Sequence, residues 1–206
     1  MTRRILQLLI GLALFGFGCG LMIQAGIGLD PWTVFTQGIS IHTGIGVGWV
    51  ANLIGFGVLL LWIPLRQKPG VGTIANILLV GTSIQVTVDL LPQPEELWVR
   101  ILVFAAGLVS VAVASGLYIG AHFGPGPRDG LMTGIRARFG WPIWLARAVV
   151  EITVLVAGWL LGGNVGVGTV AFALLIGPMV HVTLPLLDVR RPRRGAPPRE
   201  VPARAA

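Results

Sequence analysis

Six long apolar runs constrain this chain more than any motif in it. They lie at roughly residues 5–25, 47–65, 73–91, 99–119, 142–161 and 167–187. About 20 consecutive apolar residues carry a helix across the hydrocarbon core of a bilayer. Charged residues are only 11% of the chain and hydrophobic residues 54%. A soluble domain carries about 25% charged residues to cover its surface, so most of this chain must face lipid or other apolar helices. The expected fold is all-α: a polytopic membrane protein of six transmembrane helices whose principal partner is the lipid bilayer.

The net charge of +7 resembles the footprint of a nucleic-acid binder, but its distribution argues otherwise. Arg190, Arg191, Arg193, Arg194, Arg199 and Arg204 all fall in a Pro-rich tail, and the rest of the chain is almost neutral. Residues 188–206 therefore read as a disordered basic cytoplasmic tail drawn to anionic headgroups, with no nucleic-acid partner. Arg3 and Arg4 before the first run resemble a secretory signal. The run is long and no Ala-x-Ala site follows, so it reads as an uncleaved span. Cys19 is the one cysteine, which excludes an internal disulfide framework.

Basic residues orient the spans. Arg3 and Arg4, then Arg66 and Lys68, then Arg128, Arg136 and Arg138, and finally the tail all fall on one side if six spans place both termini in the cytoplasm. The alternate loops 26–46 and 162–166 hold no Lys or Arg, and loop 92–98 carries Glu95 and Glu96 with Arg100 just beyond.

The chain also repeats. Gly20-Leu21-Met22-Ile23-Gln24-Ala25 matches Gly116-Leu117-Tyr118-Ile119-Gly120-Ala121, and Gly70-Val71-Gly72-Thr73 recurs as Gly166-Val167-Gly168-Thr169. The offset is the same at both ends, with a compensating gap expected between them. The expected units are 1–92 and 99–187, each of three spans. Three is odd, so the second enters the membrane from the opposite side, giving the inverted repeats common among secondary transporters.

Two short segments, 31–43 and 129–139, follow glycine-rich breaks. Gly124-Pro125-Gly126-Pro127-Arg128-Asp129-Gly130 cannot be regular helix throughout, and Gly26-Ile27-Gly28-Leu29-Asp30-Pro31 is its weaker twin. Asp30 can cap a helix with Pro31 at its first position, and Asp129 can do the same for Gly130 onward. Both helices are too short to span; they either lie at the interface or re-enter as broken helices, with their positive ends pointing inward.

Gly28-Leu29-Asp30-Pro31-Trp32-Thr33, the Gly-Pro-Arg-Asp-Gly core at 126–130 and Trp159-Leu160-Leu161-Gly162-Gly163 leading into Gly166-Val167-Gly168-Thr169 resemble the YczE-type bacterial integral membrane proteins, grouped with YitT and YyaS. The resemblance covers about residues 5–187. It implies a multi-pass protein of the bacterial inner (plasma) membrane and supplies no substrate or catalytic residue.

Arg147 and Glu151 are the sharpest feature. Both lie inside the fifth run, one turn apart on one helical face, where a charge costs roughly 2.5–3.5 kcal/mol to insert. They are either a structural pair that locks spans together or the centre of a site for a charged substrate or proton. Ala51 and Gly55 stand at the matching places in the second run. Arg128, Asp129 and Asp30 could serve at the broken-helix ends. Gln85 and His181, at matching places in the third and sixth runs, could provide a polar lining, or could simply bond helix to helix. Gly16 with Gly20, and Gly158 with Gly162, have the small-xxx-small spacing that also suits a homodimer. No nucleotide-binding lysine motif, metal cluster or nucleophile triad stands out, so neither a cofactor nor an enzyme is expected. The reading is a small-solute or ion transporter working by alternating access. The alternative is a membrane factor that assists a partner enzyme or transporter.

Overall fold

The structure, a computed structural model, describes residues 1–189. The tail arginines from Arg190 lie outside the described residues. Among these residues there are eight helices and no strand: α1 Thr2–Ala25, α2 Pro31–Thr43, α3 Val47–Trp62, α4 Val71–Leu90, α5 Leu97–Gly120, α6 Pro127–Phe139, α7 Ile143–Leu160 and α8 Val167–Leu187. Five of them (α1, α4, α5, α7 and α8) are long and apolar enough to cross a membrane. The expected second span is shorter than its apolar run, because α3 ends at Trp62 after 16 residues. Pairing it with α2, from which it is bent by 114°, would bring the count to six.

Two expectations are corrected here. The starts of α2, α3 and α4 recur as those of α6, α7 and α8 with the offset that separates Gly70 from Gly166, and α2 and α6 have the same length, so no compensating gap is needed. Asp30 does cap α2, accepting a hydrogen bond from the Thr33 amide at 3.2 Å. Asp129, in contrast, is not an N-cap. Pro127 opens α6 because its ring already holds the helical φ and the first turn needs no N–H from it. Gly126 thus takes the cap position, and Asp129 falls within the first turn.

α1 and α5 form the centre. Side chains at their crossing would hold the backbones apart, and glycine removes them. A Cβ on Gly18 would sit 2.7 Å from the Gly107 carbonyl oxygen, and a Cβ on Gly107 at the same distance from that of Gly18. Leu12, Cys19, Met22, Leu108 and Val111 fill the seam around them. α4 packs on α1 at Gly16 and Gly20, which abut Ser83 and Thr87, and α8 packs on α5 at Gly116 and Gly120, which abut Thr183 and Leu187. Gly158 closes on Phe35 of α2. Three of the glycines whose spacing suited a homodimer, Gly16, Gly20 and Gly158, are therefore packed inside one chain.

The helix ends are tied in matching pairs. Arg4 of α1 donates to the Ala121 carbonyl at 3.0 and 2.9 Å, closing α5. Arg100 of α5 donates to the carbonyls of Ala25 at 2.7 Å and Gly26 at 3.0 Å, closing α1. Arg100, the one basic residue near an otherwise acidic loop, thus has a structural role, because terminal carbonyls lack helical partners and attract cations. Gln7 donates to the Leu187 carbonyl at 2.7 Å and Gln24 to that of Val88 at 2.8 Å, tying α8 and α4 to α1.

The two breaks are held in the same crossed fashion. The Gly72 amide donates to the Phe123 carbonyl at 3.0 Å, and the Thr73 hydroxyl to that of Pro125 at 2.8 Å. Across the molecule, the Gly168 amide donates to the Ile27 carbonyl at 2.8 Å, and the Leu29 amide to the Thr169 hydroxyl at 3.0 Å. The repeated Gly-Val-Gly-Thr thus opens α4 and α8 while satisfying the break in the other half. Gly28 and Gly124 sit in these breaks at φ 125° and 113°, which a side chain would strain. From there α2 and α6 run outward. Asp30, Trp32 and Thr33 are buried while His42 and Thr43 are exposed; Gly130 and Leu131 are buried while Phe139 is exposed. Trp62 fixes the start of α6, its indole N–H donating to the Pro127 carbonyl at 3.0 Å.

Thr73→Val and Thr169→Val each strand a break-segment backbone group, at a cost of about 1–3 kcal/mol. Thermal melting of the purified protein in detergent should show both losses. Thr153→Val, where an exposed hydroxyl bonds only within α7, should melt with the parent.

Candidate functional site

The buried starts of α2 and α6 meet at one cavity of about 290 Å³. α1 contributes Phe15, α4 Asn76 and Val80, α5 Ser115 and Tyr118, α6 Arg128, Asp129 and Met132, α7 Arg147 and Glu151, and α8 Phe172 and Ile176; Asp30 and Trp32 come from the start of α2. Five of the seven residues singled out above are therefore brought together: Asp30, Arg128, Asp129, Arg147 and Glu151.

Their interactions are unequal. Arg147 Nε donates to Glu151 Oε1 at 2.9 Å, the expected pair along one helical face. The Arg147 side chain is 60% exposed and that of Glu151 33%, so the pair stands at the open edge of the cavity. Asp129 accepts a hydrogen bond from the Tyr118 hydroxyl at 2.9 Å. Arg128 lies 3.5 Å from Asp30 Oδ1, too long and loose for a strong charge-assisted bond. Its guanidinium sits 4.9 Å from the centre of the Trp32 ring and, among the described residues, makes no hydrogen bond. Asp30 Oδ2 is buried without a partner, and so is the Trp32 indole nitrogen. Among the described residues no group of three His, Cys, Asp or Glu could hold a metal ion.

Gln85 and His181 stand away from this cavity. Gln85 accepts from the Gly48 amide at 3.0 Å, covering the start of α3, and donates to Asp89 at 2.8 Å. His181 is exposed on α8 and makes no hydrogen bond or ion pair among the described residues. Their different fates follow from how the two helix pairs pack. α3 lies against α4: Gly48 closes on Gln85 and Gly81 on Asn52, leaving a cavity of about 30 Å³. No comparable packing joins α7 to α8, and Gly177, the counterpart of Gly81, faces open space. The large cavity is therefore open along the α7–α8 seam and closed along the α3–α4 seam.

Sequence reasoning missed Tyr118, Trp32, Asn76 and Ser115. A signal was present for two of them. Tyr118 is the one tyrosine of the chain and stands where the first half has Met22; Asn76 stands where the second half has Phe172. Arg128 faces Trp32 in the alignment of the halves, Asp129 faces Thr33, and Arg147 and Glu151 face Ala51 and Gly55. The charged residues of the cavity thus stand at positions where the matching segments carry different residues.

Residues 2–185 match the family of unknown function DUF6198, and the chain belongs to that family. It is 41% identical over 180 residues to an uncharacterised protein of Haemophilus influenzae, covering 87% of this chain and 83% of that one. Over 181 residues it is 34% identical to the uncharacterised membrane protein YczE of Bacillus subtilis, covering 85% and 82%. YyaS, an uncharacterised protein of the same organism, is 27% identical over 193 residues, covering 90% and 96%. These relatives place the chain in the YczE-type group of membrane proteins. No solved structure matches it.

Tyr118→Phe leaves Asp129 without its hydrogen bond in a largely buried setting, which should cost about 1.5–3 kcal/mol. The double variant Tyr118→Phe/Asp129→Asn should recover part of that loss, because the stranded charge is gone. Melting midpoints of the three proteins in one detergent check both expectations.

Proposed function

We propose that this member of the DUF6198 family is a small-solute transporter of the bacterial inner membrane that works by alternating access. Six spans form two inverted three-helix halves, α2 and α6 re-enter as half-helices, and both termini lie in the cytoplasm. The observation that carries the reading is the unequal packing of two matching helix pairs around one cavity: α3 sealed on α4, α7 apart from α8. Identical packing of related halves would leave a cavity equally closed or open at both ends. Unequal packing supports a state open on one side, whose opposite is reached by exchanging the two arrangements.

The crossed ties support the same reading. Each break is satisfied by the first turn of a helix from the other half, so the halves can rock about these ties without exposing backbone to lipid. With cytoplasmic termini, the start of α7 and the end of α8 face the cytoplasm, and the state observed is open inward. Arg147 and Glu151 stand at its mouth. In the opposite state α8 would close on α7, and His181 would take the place that Gln85 holds against α3.

Cysteine pairs test this. A Cβ on Gly55 would lie 3.5 Å from that of Ile77, within disulfide reach, so Gly55→Cys/Ile77→Cys should cross-link readily in membranes. Ala148→Cys/Gly177→Cys, at the counterparts of Asn52 and Gly81, should cross-link more slowly, and not at all once the first pair is locked. A rigid protein in which the second pair never closes, or one in which both close together, contradicts alternating access.

A further inference from the structure

We propose that the cavity binds a small organic anion, carrying a carboxylate or phosphate group, on Arg128, and that each anion enters with one proton, taken by Asp30. This rests on the transporter reading above and names its substrate class and coupling.

Three observations converge on it. First, Arg128 has unspent donors. A guanidinium offers five N–H groups in a planar fork that suits carboxylate or phosphate. Here, among the described residues, it makes no hydrogen bond, only a loose 3.5 Å approach to Asp30 and a stack on Trp32. Second, it stands in the first turn of α6, whose N-cap Gly126 has no side chain to satisfy the exposed amides. That helix end favours an anion. Third, Asp30 has an unspent acceptor. Its side chain is 6% exposed, Oδ1 caps α2 and faces Arg128, and Oδ2 has no partner. A cationic ligand would find the other carboxylates engaged, Asp129 by Tyr118 and Glu151 by Arg147.

The coupling follows from competition for one cation. An anion that takes the Arg128 fork neutralises the guanidinium that pairs with Asp30. A buried carboxylate without its counter-charge is unstable and neutralises by taking up a proton. The proton comes from water on the open side and binds Asp30 Oδ2. When the anion leaves, Arg128 returns to Asp30 and the proton is released. Anion and proton cancel, so the occupied site carries the same net charge as the empty one. The remaining charged or titratable groups around Asp30 are Cys19 of α1, Tyr118 of α5, Asp129 of α6, and Arg147 with Glu151 of α7; on the cavity wall α4 and α8 present none. The aromatic and aliphatic remainder, Phe15, Val80, Phe172 and Ile176, suits an apolar body on the anion.

The full chain, purified in detergent, is titrated calorimetrically with benzoate and with inorganic phosphate, in buffers of different ionisation enthalpy, and proton uptake and pH dependence are read with benzoate, because phosphate exchanges a proton of its own near neutral pH. Binding of one of them should take up about one proton and tighten up to about tenfold per unit fall in pH. Arg128→Ala should weaken it roughly tenfold or more. Asp30→Asn, which keeps a good N-cap, should bind the same anion with no proton uptake and no pH dependence. Benzylamine is the counter-probe. The proposal is overturned if benzylamine binds and neither anion does, if none of the three binds a protein that melts normally, or if Asp30→Asn still takes up a proton. The cross-linking of α7 to α8 succeeds or fails separately. A chain that alternates but binds no anion keeps the transport reading and loses this one.

Discussion

Everything in this protein depends on how it ends helices inside an apolar molecule. Lipid cannot satisfy a free N–H or C=O, so a chain that breaks at membrane depth must find protein partners for its backbone. Here the partners are exchanged between halves. The start of α4 serves the break before α6, and the start of α8 serves the break before α2. The same exchange closes the long helices, Arg4 on the end of α5 and Arg100 on the end of α1. Neither half could satisfy its own breaks alone, which makes the fold a product of their association.

These ties leave two short helices with buried starts and exposed ends, so that their positive termini face a common interior. Charged residues can persist there because each is partly compensated: Asp129 by a tyrosine hydroxyl, Glu151 by Arg147, and Asp30 by its cap and by Arg128. The compensation is least complete between Arg128 and Asp30. The guanidinium keeps unused donors there, and Asp30 Oδ2 has no partner among the described residues.

Five of the spans, the register of the two breaks and the charges at 128–129 and 147–151 were legible in the sequence, because hydropathy, glycine, proline and charge are properties of single residues and their spacing. Other features were not. Asp129 has the chemistry of a cap, but the helix starts earlier because Pro127 suits its first turn. Arg100 reads as a flaw in the charge pattern until the end of α1 is seen beneath it. Gln85 and His181 read as equivalent, yet one covers the start of α3 and the other is exposed, a difference set by helix packing that no local pattern encodes.

The sequence by itself determined that this is an all-helical membrane chain, since long apolar runs with so few charges fold as helices in lipid, and it offered two sets of matching segments. It also set where the matching segments differ, at Met22 and Tyr118, Trp32 and Arg128, Ala51 and Arg147. Only the tertiary structure decided that the divergent residues meet at one cavity, and that the cavity is open beside α8 and closed beside α4. The physical reason is distance along the chain. Asp30 and Arg128 come together only because the halves grip each other's breaks, and contacts of that range depend on how whole helices pack rather than on any stretch that can be read in order.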